Sequence, residues 1–243
     1  MNAFFTGVQE TLYPGSKARH GPLPPLLVAM TLVTGLVDAF SYLVLGHVFV
    51  ANMTGNVVFL GFALIGAPGF SIWASAAALA AFGLGALAGG WIGARLGQNR
   101  GQLLSAAAAV QATLFAVSVV LAALSASPVP ASYRYPLIVA LSAGMGVQNA
   151  TARRLAVPDL TTTVLTLTIT GIAADSGIAG GKGSSAGRRF TSVVAMFLGA
   201  LIGAVFVLHV AIVLPLVTAL VVLNVVGVTG RLLAKADAAW VHP

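Results

Sequence analysis

TSVVAMFLGALIGAVFVLHVAIVLPLVTALVVLNVVGV, residues 191–228, decides the fold class. Only His209 and Asn224 are strongly polar in it. As one helix the stretch would run to about 57 Å at about 1.5 Å per residue, against a hydrocarbon core about 30 Å thick. It is too long for one crossing and too apolar for water. It therefore reads as a helical hairpin that crosses a bilayer twice and turns near His209. The rest of the chain agrees. Of 243 residues, 58% are apolar and 7% are charged, where soluble domains carry about 25% charged residues. So few polar groups cannot cover a water-facing surface, and lipid removes that requirement. The 28 glycines suit close helix packing in a solvent that gives helices no hydrophobic reason to associate. The class is all-α, a polytopic transmembrane helix bundle.

Working outward, eight apolar segments follow a mixed polar arm (1–23) that reads as poorly ordered: Pro24–Gly46, Val48–Ala67, Phe70–Gly93, Gln102–Leu124, Tyr135–Thr151, Leu160–Ala174, Phe190–Leu208 and Val210–Val228. They make one transmembrane domain, 24–229, followed by a tail, 230–243. Lys17 and Arg19 precede the first segment, but it is too long for a signal-peptide core, so it reads as an uncleaved span. Two segments fit poorly. In the second, Asn52-Met53-Thr54-Gly55-Asn56 interrupts the apolar pattern. The sixth is 15 residues with six threonines, about 22 Å as a helix.

Charge placement tests whether these two segments cross. If all eight do, eight basic residues face one side and four (Arg95, Arg100, Arg153, Arg154) the other. If the second and sixth dip in and return, eleven of the twelve share a side and only Arg134 is opposite. Cytoplasmic loops collect lysine and arginine. The expectation is six crossings, two short re-entrant or broken segments, and both termini in the cytoplasm.

The halves, about 24–125 and 134–229, resemble each other. Leu84-Gly85-Ala86-Leu87-Ala88-Gly89 recurs as Leu198-Gly199-Ala200-Leu201-Ile202-Gly203, offset by 114; Gly35-Leu36-Val37-Asp38-Ala39 recurs loosely as Gly146-Val147-Gln148-Asn149-Ala150, offset by 111. Thr54 and Asn56 correspond to Thr166 and Thr168. Three crossings per half would place the halves in opposite orientations, as two inverted repeats, the arrangement of many secondary transporters.

Gly35-x-x-Asp38, Ala51-Asn52-Met53-Thr54-Gly55-Asn56, Gln148-Asn149-Ala150 and Thr162-Thr163-x-x-Thr166 together resemble the YoaK-type family of bacterial membrane proteins, a domain of unknown function. The resemblance runs over nearly all of Pro24–Val228, and Asn-Met-Thr-Gly-Asn is its most specific part. The pattern departs at Leu167, where a glycine is expected after the threonine. The resemblance implies a multi-pass protein of the bacterial inner (cytoplasmic) membrane and supplies no substrate.

Candidate solute-path residues follow from polar groups at membrane depth. Asp38 lies about 21 Å along the first span; an acid there faces the bundle interior or a wet cavity. Ser41 and Tyr42, on the same face, are its expected partners. Such a carboxyl is a candidate for proton coupling. Asn52, Thr54, Gly55 and Asn56 can serve a local unwinding that presents backbone dipoles. Gln148 and Asn149 stand where Asp38 does in the first half, and Thr162, Thr163 and Thr166 match its polar segment. Gly85, Gly89, Gly93, Gly199 and Gly203 are helix-packing positions. His20, His47, His209 and His242 have no metal-ligand spacing, and no nucleophile or paired carboxylate suggests an enzyme. Asp175 and Lys182 fall in a glycine/serine-rich loop. No cofactor is implied. A net charge of +7 is spread between apolar runs and suits anionic headgroups, not nucleic acid. The expected partners are the lipid bilayer, a small solute and, through the glycine stripes, a second copy of the chain. The functional expectation is a transporter or permease for a small polar or ionic solute; the alternative is a non-transporting sensor, scaffold or assembly partner.

Overall fold

The computed structural model describes residues 2–15, 18–163, 165–176, 179–181, 185–235 and 240–241; Lys17, Lys182 and His242 lie outside them. The described residues form helices α1 (Asn2–Leu12), α2 (Leu23–Val44), α3 (Met53–Leu64), α4 (Ile72–Leu96), α5 (Arg100–Leu124), α6 (Ala131–Leu155), α7 (Leu165–Ala174), α8 (Ala186–His209) and α9 (Leu214–Leu233). The hairpin turns at 210–213, directly after His209. Five helices, α2, α4, α5, α8 and α9, are long and apolar enough to cross a membrane. The 25-residue α6 is as long as any of them but carries Arg134 near its start and Arg153 and Arg154 in its last turn.

The outer face and the seam of α4 differ in residue size. In the Leu84–Gly89 string, Gly85 and Gly89 are buried while Leu84 and Leu87 point outward, 68% and 72% exposed. Leucine outside and glycine inside suits a lipid solvent, where backbone proximity holds helices together. Two close pairs result. α4 packs on α6: a Cβ added to Gly85 would lie 2.0 Å from the Ala143 carbonyl oxygen, and one added to Gly146 would lie 2.1 Å from that of Phe82. α8 packs on α2: a Cβ on Gly199 would lie 2.2 Å from the Leu32 oxygen, and one on Gly35 would lie 2.3 Å from that of Met196. Each set of contacts maps onto the other when the halves are exchanged. Gly89 and Gly203 continue the same contacts. Gly93 is looser and meets only the Arg154 side chain, at 3.3 Å.

Loop contacts gather distant parts of the chain at one end of the bundle. The Arg100 amide donates to the Val241 carbonyl (2.9 Å) and the Asn99 side chain to that of Ala234 (3.1 Å). The Arg100 guanidinium reaches the Leu155 carbonyl and His20. Burial, and then the Arg100 charge, hold the His20 imidazole below its ordinary pKa. Arg134 lies at the opposite end, beside Gly46.

One expectation changes. Among the described residues of the arm, α1 is a helix that lies on the start of α8, Gly7 against Gly187 and Phe4 edge-on to Phe190 at 5.4 Å. The glycine pair lets two backbones meet, a signal too short to register as a span. At the other terminus Trp240 and Val241 are buried beside Gly21 and Arg100.

A candidate binding cavity between two short helices

Asp38 stands six residues before the end of α2, about 9 Å back along the helix. Its Oδ1 accepts the amides of Val50 (3.1 Å) and Ala51 (2.9 Å). The chain after α2 has therefore doubled back beside it. There it turns at Asn52, whose side chain caps α3 by accepting the Gly55 amide at 3.4 Å. Asn56, one turn into α3, pairs with both backbone groups of Phe49: Oδ1 accepts its amide (2.9 Å) and Nδ2 donates to its carbonyl (2.6 Å). α3 then runs back out, and His47 Nδ1 lies 3.1 Å from the Gly69 carbonyl. The two ends of this segment meet.

The segment between α6 and α8 is fastened by different chemistry. Asn149 stands six residues before the end of α6. Its Oδ1 accepts the Thr163 hydroxyl, and its Nδ2 donates to the Met145 carbonyl at 2.9 Å. The ends of this segment are joined by Arg189 of α8, which binds Asp159 at 2.7 Å and Asp175 at 2.5 Å. Ala156, Asp159 and Thr162 have φ of 50°, 63° and 64°. Left-handed backbone at such residues costs about 1–3 kcal/mol each and persists only where its surroundings hold it.

Several site expectations are redrawn by these contacts. Ser41 and Tyr42 do not reach the Asp38 carboxylate: the Ser41 hydroxyl donates to the Asp38 carbonyl (3.2 Å), and the Tyr42 ring stacks on Phe49 (5.1 Å between centroids). The unwound stretch precedes Asn52, so Gly55 is helical. Gly55 is needed for proximity instead, since a Cβ there would lie 2.7 Å from the Phe49 ring. Gln148 belongs to a buried network between α2, α5 and α6, accepting from Gln111 (2.8 Å) and donating to Thr34 (3.0 Å) and the Met30 carbonyl (3.2 Å). Sequence reading missed Gln111, although a glutamine in mid-span was the available signal. Thr162 is buried, and its hydroxyl has no partner among the described residues.

The tips of the short segments meet around a cavity of about 520 Å³. Asn52, Thr54 and Gly55 line it from one side; Asn149, Thr163 and Thr166 line it from the other. Phe82 and Met196, equivalent positions of α4 and α8, complete it. Asp38 and Asn56 are not in its wall; they fasten the loop that is. A second cavity of about 930 Å³ shares Phe82 and Asn149 and extends to Arg153, Arg154 and Val157 at the basic end. On the other side Phe59, also in the first wall, stacks on Phe49 (5.5 Å) and approaches Phe70 (5.1 Å).

Asn56 serves Phe49 with both a donor and an acceptor, which a carboxylate cannot do. Asn56→Asp should therefore cost about 1–3 kcal/mol, read as a lower melting midpoint in detergent. An unchanged midpoint would remove this pairing from the account.

Five long apolar helices, close glycine seams, apolar side chains exposed on the outer faces and polar side chains collected in the interior define a multi-pass integral membrane protein. The chain belongs to the family described as Protein of unknown function (DUF1275), whose profile matches residues 26–229. It is 34% identical over 151 residues to the UPF0700 transmembrane protein YoaK of Bacillus subtilis (strain 168), a match covering 62% of this chain and 65% of that protein. No solved structure matches.

Proposed function

We propose that the protein is a transporter for a small polar or ionic solute, built as two inverted repeats with six crossings and two re-entrant segments. It sits in the cytoplasmic membrane with both termini inside. The observation that carries this reading is the central cavity, walled by the polar tips of both short segments. Interrupted segments at matching positions of two inverted halves are where secondary transporters bind their solutes. The meeting of His47 with Gly69, and the bridging of Asp159 to Asp175 through Arg189, support segments that return to the side they left. The gathering of His20, Arg100, Leu155 and Ala234 at one end supports the same topology. Arg134 at the other end agrees with basic residues marking the cytoplasm.

The chain has no cysteine, so single-cysteine probes report cleanly. A cysteine at Arg95 should react with a membrane-impermeant maleimide only from the cytoplasm, and one at Ala67 only from outside. A cysteine at Thr166 should react from the cytoplasm, through the second cavity, and less so once small solutes occupy the site. Labelling of Arg95Cys from the outside alone would defeat the topology. Failure of reconstituted protein to move any solute, with a stoichiometric partner retained on purification, would replace the transporter with a scaffold.

A further inference from the structure

We propose that the solute is a small anion, an inorganic oxyanion or a short carboxylate, admitted past Arg153 and Arg154; this rests on the cavity being the transport site. Among the described residues the charges at the two cavities are of one sign. The first cavity has no charged side chain in its wall, and the second, which shares Phe82 and Asn149 with it, has two, Arg153 and Arg154. No described carboxylate lines either space. The described acids near them are committed elsewhere. Asp38 holds the Val50 and Ala51 amides behind the wall, and Asp159 and Asp175 both bind Arg189. A cation entering here would leave water without a counter-charge, which low-dielectric surroundings penalise heavily. An anion would meet two guanidiniums first and a neutral, donor-bearing chamber next. Thr54 and Thr166 supply hydroxyls to that chamber and Asn52 an amide side chain, while Thr163 and Asn149 line it bonded to each other. Residues of the first turns of α3 and α7, Met53, Thr54, Leu165 and Thr166, also line it, so two helix N-termini with their positive partial charges face the same space. The arginines and the missing acids carry the inference, and the helix ends add to it.

The test is uptake into proteoliposomes holding the full chain. The panel is sodium formate, acetate, nitrate, sulfate and phosphate, with urea and glycerol as neutral solutes and potassium and methylammonium as cations. At least one anion should enter faster than into empty liposomes, and at low concentration on the order of tenfold faster than through the glutamine pair described next, the gain typical of charge-focusing clefts. The Arg153→Gln/Arg154→Gln double variant should lose most of that gain at low solute concentration, and Arg153→Lys/Arg154→Lys should keep it. In detergent, the transported anion should raise the melting midpoint of the native protein, which does not depend on any variant folding. Uptake of urea, glycerol or a cation with no anion moving would overturn the anion assignment and leave a transporter. Uptake of nothing would overturn both. Anion uptake indifferent to the glutamine pair, in protein that melts normally, would overturn the entry route.

Discussion

Gly85→Ala and Gly199→Ala should each cost the bundle several-fold in yield of folded, monodisperse protein, although the change is one methyl group. The new Cβ would sit 2.0 Å from the Ala143 oxygen in one case and 2.2 Å from the Leu32 oxygen in the other. Both neighbours are backbone, so no side chain can rotate away, and the helices must separate. Overpacking typically costs about 1–3 kcal/mol, and a rigid neighbour places these at or above the upper figure. Separation would also loosen Gly146 and Gly35, which use the same two seams. Gly83 and Gly90, on the same helix as Gly85, have open space where a Cβ would stand. Gly83→Ala and Gly90→Ala should be neutral or raise stability by up to about 1 kcal/mol through helix propensity. Melting midpoints in one detergent compare all four. If Gly85→Ala melted with Gly83→Ala, the α4–α6 seam would be wrong.

Asp38→Leu should be nearly as damaging, by a different route. The leucine fits the volume but accepts nothing, leaving the Val50 and Ala51 amides buried without their partner. Each orphaned donor costs about 1–3 kcal/mol, so the loop that carries the cavity wall should detach. The readouts are a fall in the melting midpoint and rapid maleimide labelling of a cysteine at Ala51. Asp38→Asn keeps an oxygen at the Oδ1 position and should fold close to normally. An asparagine variant that melted like the leucine variant would remove the anchoring role. The same pair separates anchoring from proton coupling: coupling requires that Asp38→Asn fold well and still change how uptake responds to a pH gradient.

Much of the architecture was readable from composition and spacing because membrane solvent constrains both. The hairpin at His209, the weak helicity around Asn52 and Leu160, and the banking of basic residues followed from length, polarity and charge sign. The glycine strings named the close seams, but which helix lay across each seam depended on three-dimensional pairing that no local pattern carries. The polar residues singled out in the sequence divide by surroundings. Asp38, Gln148 and Asn56 bind the protein itself away from the cavity, while Asn52, Thr54, Asn149, Thr163 and Thr166 line it, Asn52, Asn149 and Thr163 with protein partners of their own. Asparagine stands in both groups, so residue type alone does not sort them, and direction at an irregular stretch such as 45–52 is not periodic. α1 escaped notice because it is short, and its docking through Gly7 on Gly187 and Phe4 on Phe190 is a pairing no local pattern carries.

The crosswise pairing of α2 with α8 also bears on biosynthesis. Gly35 leaves the ribosome roughly 160 residues ahead of Gly199, about 8–30 s at ordinary elongation rates. For that interval the first span waits without the surface it is shaped for, exposing a bare backbone groove at Gly35 to whatever surrounds it. α4 waits for α6 over a much shorter interval. The chain therefore closes its second seam before its first, and an insertase that shelters α2 until the last hairpin arrives would govern how much of the nascent protein matures.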